Sequence, residues 1–323
     1  MPENVLIHAN SGDKVGLGHL VRCITLTKEL LSRNVRAELR LKDDEDAVAF
    51  ARENGITPTV SREETLLRDL STSSADMVVV DSYAFTSDDF RELAKQTVLV
   101  VVDELGDREI PADLVINNNI YADDIAYPAA ASVICGPKYC MLREPFRELE
   151  KPVHRHPPET VLVTVGGADI AGVFLSILTV VAEVTDSATV EAIVGPYFSP
   201  PDGSPEDVQF HRDPPNIHEL MWDADLAVSG GGQTLYELAA CGTPPVALTL
   251  GEDQVRNIEG FEEAGFCRST GEPSQEEFND VLYRNLRTLS EDAKIRREMS
   301  ERGLSIVDGK GVVRVADSIE KLL

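Results

Sequence analysis

Short runs rich in Val and Ile alternate along this chain with segments whose apolar residues recur at helical spacing. The runs at 77–81 and 98–103 are almost continuously apolar, as in strands that helices cover on both faces. The alternation predicts a doubly wound α/β fold with parallel sheets. The predicted strands of the first half are Val5–His8, Ala37–Leu41, Met77–Asp81, Val98–Asp103, Leu114–Asn117 and Ser132–Cys135, and the predicted helices are His19–Ser32, Glu45–Glu53, Glu63–Leu70 and Ser87–Lys95.

The periodicity stops once, at Lys151–Pro158, where KPVHRHPP combines three prolines with mixed charge, as is typical of a linker. The sequence therefore predicts two α/β domains, 1–150 and 151–323, with ligands bound in a cleft between them at the carboxyl ends of the strands. The predicted strands of the second domain are Val161–Val165, Val190–Val194, Val208–His211, Leu226–Ser229 and Val246–Leu248, and its helices begin near Ile170, Ile217, Gln233, Gln254 and Ser274.

The charge of the chain disfavours some classes of partner. The 56 acidic and 30 basic side chains give a formal net charge of −26, which disfavours binding to nucleic acids and to anionic membranes. The basic residues are 9 Lys and 21 Arg. An acidic surface poor in lysine is typical of proteins from a high-salt cytoplasm, since carboxylates stay hydrated while salt screens their repulsion. The alternative is an ordinary acidic cytoplasmic protein.

The cysteines and the absence of long apolar runs predict a cytoplasmic location. The five cysteines are scattered without a C-x-x-C pair, which indicates reduced thiols and neither a disulfide framework nor a zinc site. No apolar run approaches the ~18–20 residues of a membrane span. The segment MPENVLIHAN leads directly into a strand and contains no signal peptide.

A glycine-rich segment precedes the first predicted helix, with Gly12, Gly16 and Gly18 before a start near His19. It is neither a Walker loop nor a dinucleotide fingerprint, since Val21 stands where the fingerprint needs glycine. Backbone N–H groups at such a helix start point at a ligand. The helix dipole disfavours imidazolium, so His19 is expected to be neutral and able to accept a proton. The alternative is a surface residue at a tight turn.

A second glycine-rich helix start is Ser229–Glu237, SGGGQTLYE, after the strand LAV. Its three glycines would let a phosphate approach the backbone, and Glu237, expected in the first turn, could accept two ribose hydroxyls. The alternative is a capping box between Thr234 and Glu237. Three successive glycines cost conformational entropy and are unnecessary for a cap, which favours a ligand site.

Two further groups are weaker candidates. Gln254 and Asn257 begin another helix in the second domain and would suit a nucleotide or sugar, although taken alone they are better explained by a solvated helix start. The pairs Asp81-x-Tyr83 and Asp103-Glu104 end two buried strands on the expected ligand side, which makes Asp81 and Tyr83 catalytic candidates.

In combination these motifs resemble a known family. GLGHLVR, DSY, GPKYCMLREPF, VGGADI and SGGGQTLYELAACGTPP, in this order along nearly the whole chain, are similar to segments of the UDP-sugar hydrolases of pseudaminic acid biosynthesis. Those enzymes cleave UDP-2,4-diacetamido-2,4,6-trideoxy-β-L-altropyranose and grade into the spore-coat-polysaccharide-type glycosyltransferases. The family often has His at the position of Ser82 and two Asp at the position of Asp103-Glu104.

The resemblance implies a GT-B fold, with the sugar beside a catalytic N-terminal domain and UDP in the C-terminal domain. It implies that His19 positions or activates the attacking water, that Glu237 binds ribose, and that no metal ion or cofactor is needed. The ligand-binding residues expected from the motifs are Gly18, Arg22, Gly231, Gly232, Gln233, Thr234, Glu237, Gln254 and Asn257.

The sequence thus leads to one functional hypothesis and two alternatives. The hypothesis is a metal-independent hydrolase of a UDP-linked amino sugar that acts in nonulosonic acid or surface polysaccharide biosynthesis. The first alternative is a GT-B glycosyltransferase that transfers the same kind of sugar to an acceptor hydroxyl. The second is a nucleotide-sugar-binding protein without catalytic activity, and the fold alone does not choose among the three.

Overall fold

The chain forms two α/β units, each built on a parallel sheet. The computed structural model describes residues 4–10, 18–147, 149, 154–166, 169, 172–185, 188–195 and 198–323. One unit comprises Met1–Glu144 with Gly309–Leu323, and the other comprises Pro145–Asp308. Among the described residues, none of the helices is both long and apolar enough to cross a membrane.

The first unit contains a sheet of seven parallel strands in the order β3-β2-β1-β4-β5-β6-β7. The strand order reverses between β1 and β4, because the chain first builds outward to β3 and then returns to the other side of β1. The strands are β1 (Asn4–Ala9), β2 (Arg36–Lys42), β3 (Thr59–Ser61), β4 (Met77–Asp81), β5 (Val98–Val102), β6 (Leu114–Asn117) and β7 (Val133–Cys135). The helices that follow in this half are α1 (Gly18–Ser32), α2 (Glu45–Glu53), α3 (Leu66–Ser71) and α4 (Ser87–Leu93).

The second unit repeats this organisation with six parallel strands in the order β10-β9-β8-β11-β12-β13, so that its reversal lies between β8 and β11. The strands are β8 (Thr160–Thr164), β9 (Thr189–Val194), β10 (Val208–Arg212), β11 (Leu226–Gly230), β12 (Pro245–Leu248) and β13 (Arg268–Ser269). The helices are α5 (Phe174–Val184), α6 (Ile217–Asp223), α7 (Gln233–Cys241), α8 (Val255–Glu263), α9 (Phe278–Glu291) and α10 (Ala293–Ile306). A last helix, α11 (Gly311–Glu320), belongs to the first unit.

Both faces of the first sheet are buried, which confirms the prediction made from its apolar runs. Every residue of β4 is buried. Met77 and Val79 join the core on one face together with residues of α1 and α11. Val78 and Val80 join a separate core on the other face. Because successive side chains of a strand point to opposite faces, β4 contacts helices or loops on both of its faces.

The last fifteen residues of the chain pack on the first unit, whereas the sequence placed them in a domain running from 151 to 323. Val312, Val315 and Ile319 of α11 are fully buried in the core beside α1. Arg33, which follows α1, donates hydrogen bonds to Asp317 at 2.6 Å and to Glu320 at 2.7 Å. The return of α11 depends on contacts between segments almost 300 residues apart, which local periodicity does not reveal.

Most of the predicted elements are present, but the helices α10 and α11 were not predicted, and two short strands and two helix starts differ. The strands β3 and β13 have three and two residues, too few for an alternating pattern to be recognised. The helix expected near Ile170 begins at Phe174, because the Asp169 carboxylate accepts hydrogen bonds from the N–H groups of Val173 and Phe174 at 2.9 and 3.2 Å. Ile170 itself lies outside the described residues. The helix expected near Ser274 begins later, at Phe278.

Candidate functional site

One group of candidate residues lies at the carboxyl edge of the first sheet, where the strand order reverses between β1 and β4. Open parallel sheets bind ligands at such reversals. Asp81 ends β4, and α1 is the helix that follows β1. His19 and Arg22 are three residues apart on α1, so their side chains share a helix face, and both contact Asp81.

Asp81 and His19 form a buried hydrogen-bonded pair. Nδ1 of His19 lies 2.6 Å from Oδ1 of Asp81, and the residues are 6% and 0% exposed. Burial by itself would raise the pKa of Asp81, but the charges of Arg22 and His19 outweigh it and hold this pKa well below its usual range.

The ionisation of Asp81 decides which nitrogen of His19 can act as a base. Nδ1 also lies 2.9 Å from Nη2 of Arg22, but an ionised carboxylate only accepts hydrogen bonds, and its 2.6 Å contact with Nδ1 requires a proton between the two atoms. We therefore place a proton on Nδ1. In the neutral ring the lone pair is therefore on Nε2. No described residue hydrogen-bonds to Nε2. The pair thus has the form of a carboxylate that orients an imidazole for proton transfer at its other nitrogen.

Arg22 joins two carboxylates at this site. Its Nε and Nη2 atoms donate to the two oxygens of Asp81 at 2.5 and 2.7 Å. Its Nη1 donates to Oε1 of Glu104. Forked ion pairs of this kind fix orientation as well as charge. The sequence predicted a ligand-binding role for Arg22, whereas the structure engages all three nitrogens with Asp81 and Glu104.

Tyr83 lies beside the imidazole of His19. The two rings meet edge to face, with centroids 4.6 Å apart and planes at 90°. The phenol O–H donates to Oε2 of Glu104. Partial burial and the neighbouring Glu104 charge raise the pKa of Tyr83, so the hydroxyl stays protonated and serves as a donor. The structure therefore brings the three catalytic candidates, His19, Asp81 and Tyr83, together.

Glu104 is the member of this cluster whose role sequence analysis missed, since it was singled out only as one of a pair with Asp103. The two side chains lie on opposite faces of the sheet. Asp103 accepts hydrogen bonds from the N–H of Gly106 at 2.7 Å and from the O–H of Tyr127 at 2.8 Å, so it shapes the loop after β5. Alternation along β5, with Val100 and Val102 facing α1, is the signal that places Glu104 on the α1 face.

The glycine-rich approach to α1 is described only from Gly18 onward, and Gly12 and Gly16 lie outside the described residues. Gly18 is the exposed first residue of α1. A Cβ at this position would meet nothing within 4 Å. Packing within the described residues therefore does not require glycine at 18. Among all the residues that the structure describes, no three His, Cys, Asp or Glu side chains are grouped so as to hold a metal ion.

The second group of candidates lies in the other unit, at the corresponding reversal between β8 and β11. Gly232 is the N-cap of α7, and no side chain caps this helix start. Gln233 and Thr234 are its first two residues. The capping box proposed between Thr234 and Glu237 is not formed, and Glu237 lies in the second turn, so the expectation of a first-turn position is wrong. The start of α7 presents backbone N–H donors and the positive end of the helix dipole, which suit an anion.

The glycines before α7 have different local requirements. A Cβ at Gly231 would lie 2.4 Å from Cγ1 and 2.5 Å from Cδ1 of Ile258, so glycine is needed where the turn packs against α8. A Cβ at Gly232 would meet only Nε2 of Gln254, at 3.9 Å. Packing against α8 therefore explains the glycine at 231, whereas the described neighbours of Gly232 leave room that a ligand could use.

Gln254 and Asn257 each make a hydrogen bond to the segment that includes the turn before α7 and the first part of α7. Oε1 of Gln254 accepts hydrogen bonds from the N–H groups of Gly231 at 2.8 Å and of Leu250 at 3.2 Å. Asn257 is 8% exposed, and its Oδ1 accepts from the O–H of Tyr236 at 2.7 Å. Neither residue is merely part of a solvated helix start. Gln254 supports the turn between β11 and α7, and Asn257 joins α8 to α7.

Comparisons of sequence find distant relatives. No protein-family model matches the chain. The chain is 23% identical over 337 residues to the spore coat polysaccharide biosynthesis protein SpsG of Bacillus subtilis, with 99% of this chain and 98% of that protein covered. It is 24% identical over 277 residues to the pseudaminic acid cytidylyltransferase and UDP-2,4-diacetamido-2,4,6-trideoxy-beta-L-altropyranose hydrolase of Helicobacter pylori, with 79% of this chain and 46% of that protein covered. The chain thus spans less than half the length of the Helicobacter protein.

Comparisons of structure match the whole chain. The glycotransferase of kitacinnamycin superposes with a TM-score of 0.72 at 16% identity and full coverage of both chains. Acinetobacter baumannii MurG gives 0.68 at 14% identity, with 99% of this chain and 100% of that chain covered. S. aureus MnaA, solved with UDP, gives 0.67 at 14% identity, with 99% and 98% covered. The chain has the GT-B glycosyltransferase fold, as the family resemblance implied, and is a distant relative of proteins of polysaccharide biosynthesis.

Proposed function

We propose that the protein is a metal-independent hydrolase of a UDP-linked amino sugar that acts in nonulosonic acid or surface polysaccharide biosynthesis. The observation that carries this proposal is the buried His19–Asp81 pair, in which an ionised carboxylate leaves the lone pair of the neutral imidazole on Nε2. Such a pair can take a proton from water as an O–C bond forms. The relationship to the Helicobacter pylori protein, whose name includes a UDP-sugar hydrolase, supports the same reaction class.

In the proposed reaction, water attacks the anomeric carbon and its proton passes to Nε2 of His19. The bond between the anomeric carbon and the β-phosphate oxygen breaks, and its electron pair leaves with UDP. Asp81 stabilises the imidazolium that forms. Tyr83 stands next to the imidazole and limits where the sugar can lie. We assign Arg22 to the orientation of Asp81, since its donors are already engaged there.

UDP is proposed to bind at the turn between β11 and α7. Backbone N–H groups of Gly232, Gln233 and Thr234 would donate to the diphosphate, and fixed donors of this kind stabilise the charge that develops on the leaving group. Glu237 would accept the ribose hydroxyls. Gln254 and Asn257 would act at the same site, Gln254 by holding the turn in place and Asn257 by holding α7 against α8.

The direct test of bond cleavage is to run the reaction in H₂¹⁸O with a panel of UDP-sugars and to locate the label. Attack at the anomeric carbon places ¹⁸O on the free sugar and none on UDP. Label on UDP would show cleavage of the P–O bond and would exclude the proposed mechanism. The panel should include N-acylated amino sugars and the matching sugars with a free hydroxyl.

A second candidate is a glycosyltransferase that uses the same donor, favoured by the whole-chain structural match to the glycotransferase of kitacinnamycin. In that case the acceptor hydroxyl replaces water, and UDP release should be negligible until an acceptor is added. A purely binding protein would bind UDP and release none under either condition. Measuring UDP release with and without an acceptor extract separates the three functions.

A further inference from the structure

We propose that Glu104 is a positioning residue that gives the His19 cluster one negative charge in excess and fixes Tyr83 against the imidazole. This inference rests on the proposed function, in which His19 accepts a proton. Glu104 does not reach the reacting atoms in this account. It acts through Arg22 and Tyr83, each of which bonds to one of its two carboxylate oxygens.

Within the described part of the chain, four groups around His19 determine the charge of the cluster. Asp81 and Glu104 are carboxylates, Arg22 is a cation, and Tyr83 is a neutral phenol. Burial opposes ionisation of Glu104, but Arg22 and the hydrogen bond from Tyr83 keep its pKa below the usual value. With a neutral imidazole the cluster carries a net charge of −1, and when His19 takes up a proton the charge becomes zero.

This excess charge matters because the charged side chains of the cluster are largely shielded from water, although Tyr83 is 41% exposed. The side chains of Asp81, Arg22 and Glu104 are 0%, 7% and 19% exposed. Charges in such surroundings interact more strongly than at the surface, since less solvent screens them. Because Asp81 and Glu104 share a single cation, Arg22, one negative charge is left uncompensated, and it favours a proton on the imidazole in the transition state.

The same carboxylate also fixes geometry. Oε1 of Glu104 accepts from Arg22, which holds Asp81, while Oε2 accepts from Tyr83, whose ring meets the imidazole edge to face. Glu104 therefore links both sides of His19, although it follows a different strand. Loss of its charge and loss of its hydrogen bond to Tyr83 should have separable effects.

The test compares Glu104→Gln with Glu104→Asp, Tyr83→Phe and the matched control Glu109→Gln. Glu109 is an exposed residue of the same loop that pairs with Arg91, so its substitution removes one charge outside the cluster. Two quantities are measured for each variant: the pH dependence of kcat/KM, and the proton uptake of the His19 ring by NMR in the absence of substrate. Circular dichroism checks that each variant is folded.

In Glu104→Gln we expect kcat to fall by at least ~10-fold. We also expect the acid limb of the rate profile and the NMR titration of His19 to move to lower pH together. Glu104→Asp and Tyr83→Phe should lose rate but keep the titration near its wild-type position, and Glu109→Gln should match wild type in both. An unchanged titration in Glu104→Gln would overturn the inference. Absence of turnover in the wild type would refute the proposed function instead, and the NMR titration would still test Glu104.

Discussion

Both carboxylate oxygens of Asp81 are held by residues of a single helix. Oδ1 contacts His19 at 2.6 Å, and Arg22 donates to both oxygens at 2.5 and 2.7 Å. A buried acid with these partners remains ionised and determines which tautomer of His19 is present. At the scale of single residues, the chemistry of the site therefore depends on Asp81 as much as on the histidine.

Sequence analysis could place His19, Asp81 and Tyr83 on the expected ligand side because each follows or precedes a recognisable element. It could not choose between Asp103 and Glu104. Neighbouring residues at a strand end point to opposite faces, so the choice depends on which face α1 covers. That information comes from tertiary packing.

His8 on β1 leads to a prediction about stability at acid pH. Burial lowers its pKa from 6.5 to about 4, and its Nδ1 lies 2.9 Å from the carbonyl oxygen of Arg40. Because the unfolded state takes up this proton first, the stabilising contribution is present above about pH 6.5 and is lost as the pH falls toward 4. Between pH 7 and pH 5 the free energy of unfolding should fall by about 2 kcal/mol from this residue.

The variant His8→Asn keeps a donor for Arg40 but has no proton to gain. Urea unfolding at pH 7 and pH 5 should show a smaller loss of stability in His8→Asn than in wild type, by that same amount. An equal loss in both proteins would mean that His8 is not held in its neutral form. The comparison cancels the contributions of the other titrating groups.

At the scale of elements, the turn between β11 and α7 shows what a glycine pattern can and cannot predict. The sequence does not distinguish the roles of the three glycines, and together they predicted a ligand site. In the structure Gly231 is required by Ile258 on α8, whereas Gly232 has no close described neighbour. The contact with α8 distinguishes the two positions, and the local sequence does not predict that contact.

This difference predicts opposite behaviour for two neighbouring alanine substitutions. Gly231→Ala should destabilise the fold by about 1–3 kcal/mol, because the added methyl group overlaps Ile258. Gly232→Ala should fold with nearly unchanged stability and yet weaken UDP, because the methyl group would stand where the diphosphate approaches the backbone. Thermal unfolding and calorimetric titration with UDP measure the two effects. Wild-type affinity in Gly232→Ala would place the phosphates elsewhere.

At the scale of the whole molecule, the two parallel sheets could be predicted because continuous apolar runs and helical periodicity are local signals. The membership of α11 in the first unit could not be predicted in this way. It depends on the burial of Val312 and Val315 beside α1 and on the close approach of Gly311 to Cys140, where a Cβ would lie 2.0 Å from the carbonyl oxygen. The segment Pro137–Tyr139, which helped to indicate the family resemblance, adjoins this docking point.

The net charge of −26 leads to a prediction for the molecule as a whole. At ~0.15 M salt the screening length is already ~8 Å, so ordinary surface pairs gain little from further salt. A surface crowded with carboxylates still repels itself, and we expect the thermal midpoint to rise between ~0.15 M and molar KCl. A neutral osmolyte at equal osmolality controls for water activity. A flat or falling midpoint in KCl would contradict the high-salt interpretation.

The central claim, that His19 is the base for water attack while UDP binds on the other unit, is tested most directly by the kinetics of His19→Asn. The amide can still donate to Asp81 but cannot take up a proton. We expect kcat and kcat/KM for UDP release to fall together by ~10²–10⁴-fold, while calorimetry finds UDP affinity unchanged. In wild type the rate should also fall with decreasing pH, since imidazolium accepts no proton. Near-wild-type turnover in His19→Asn would show that another group activates the water.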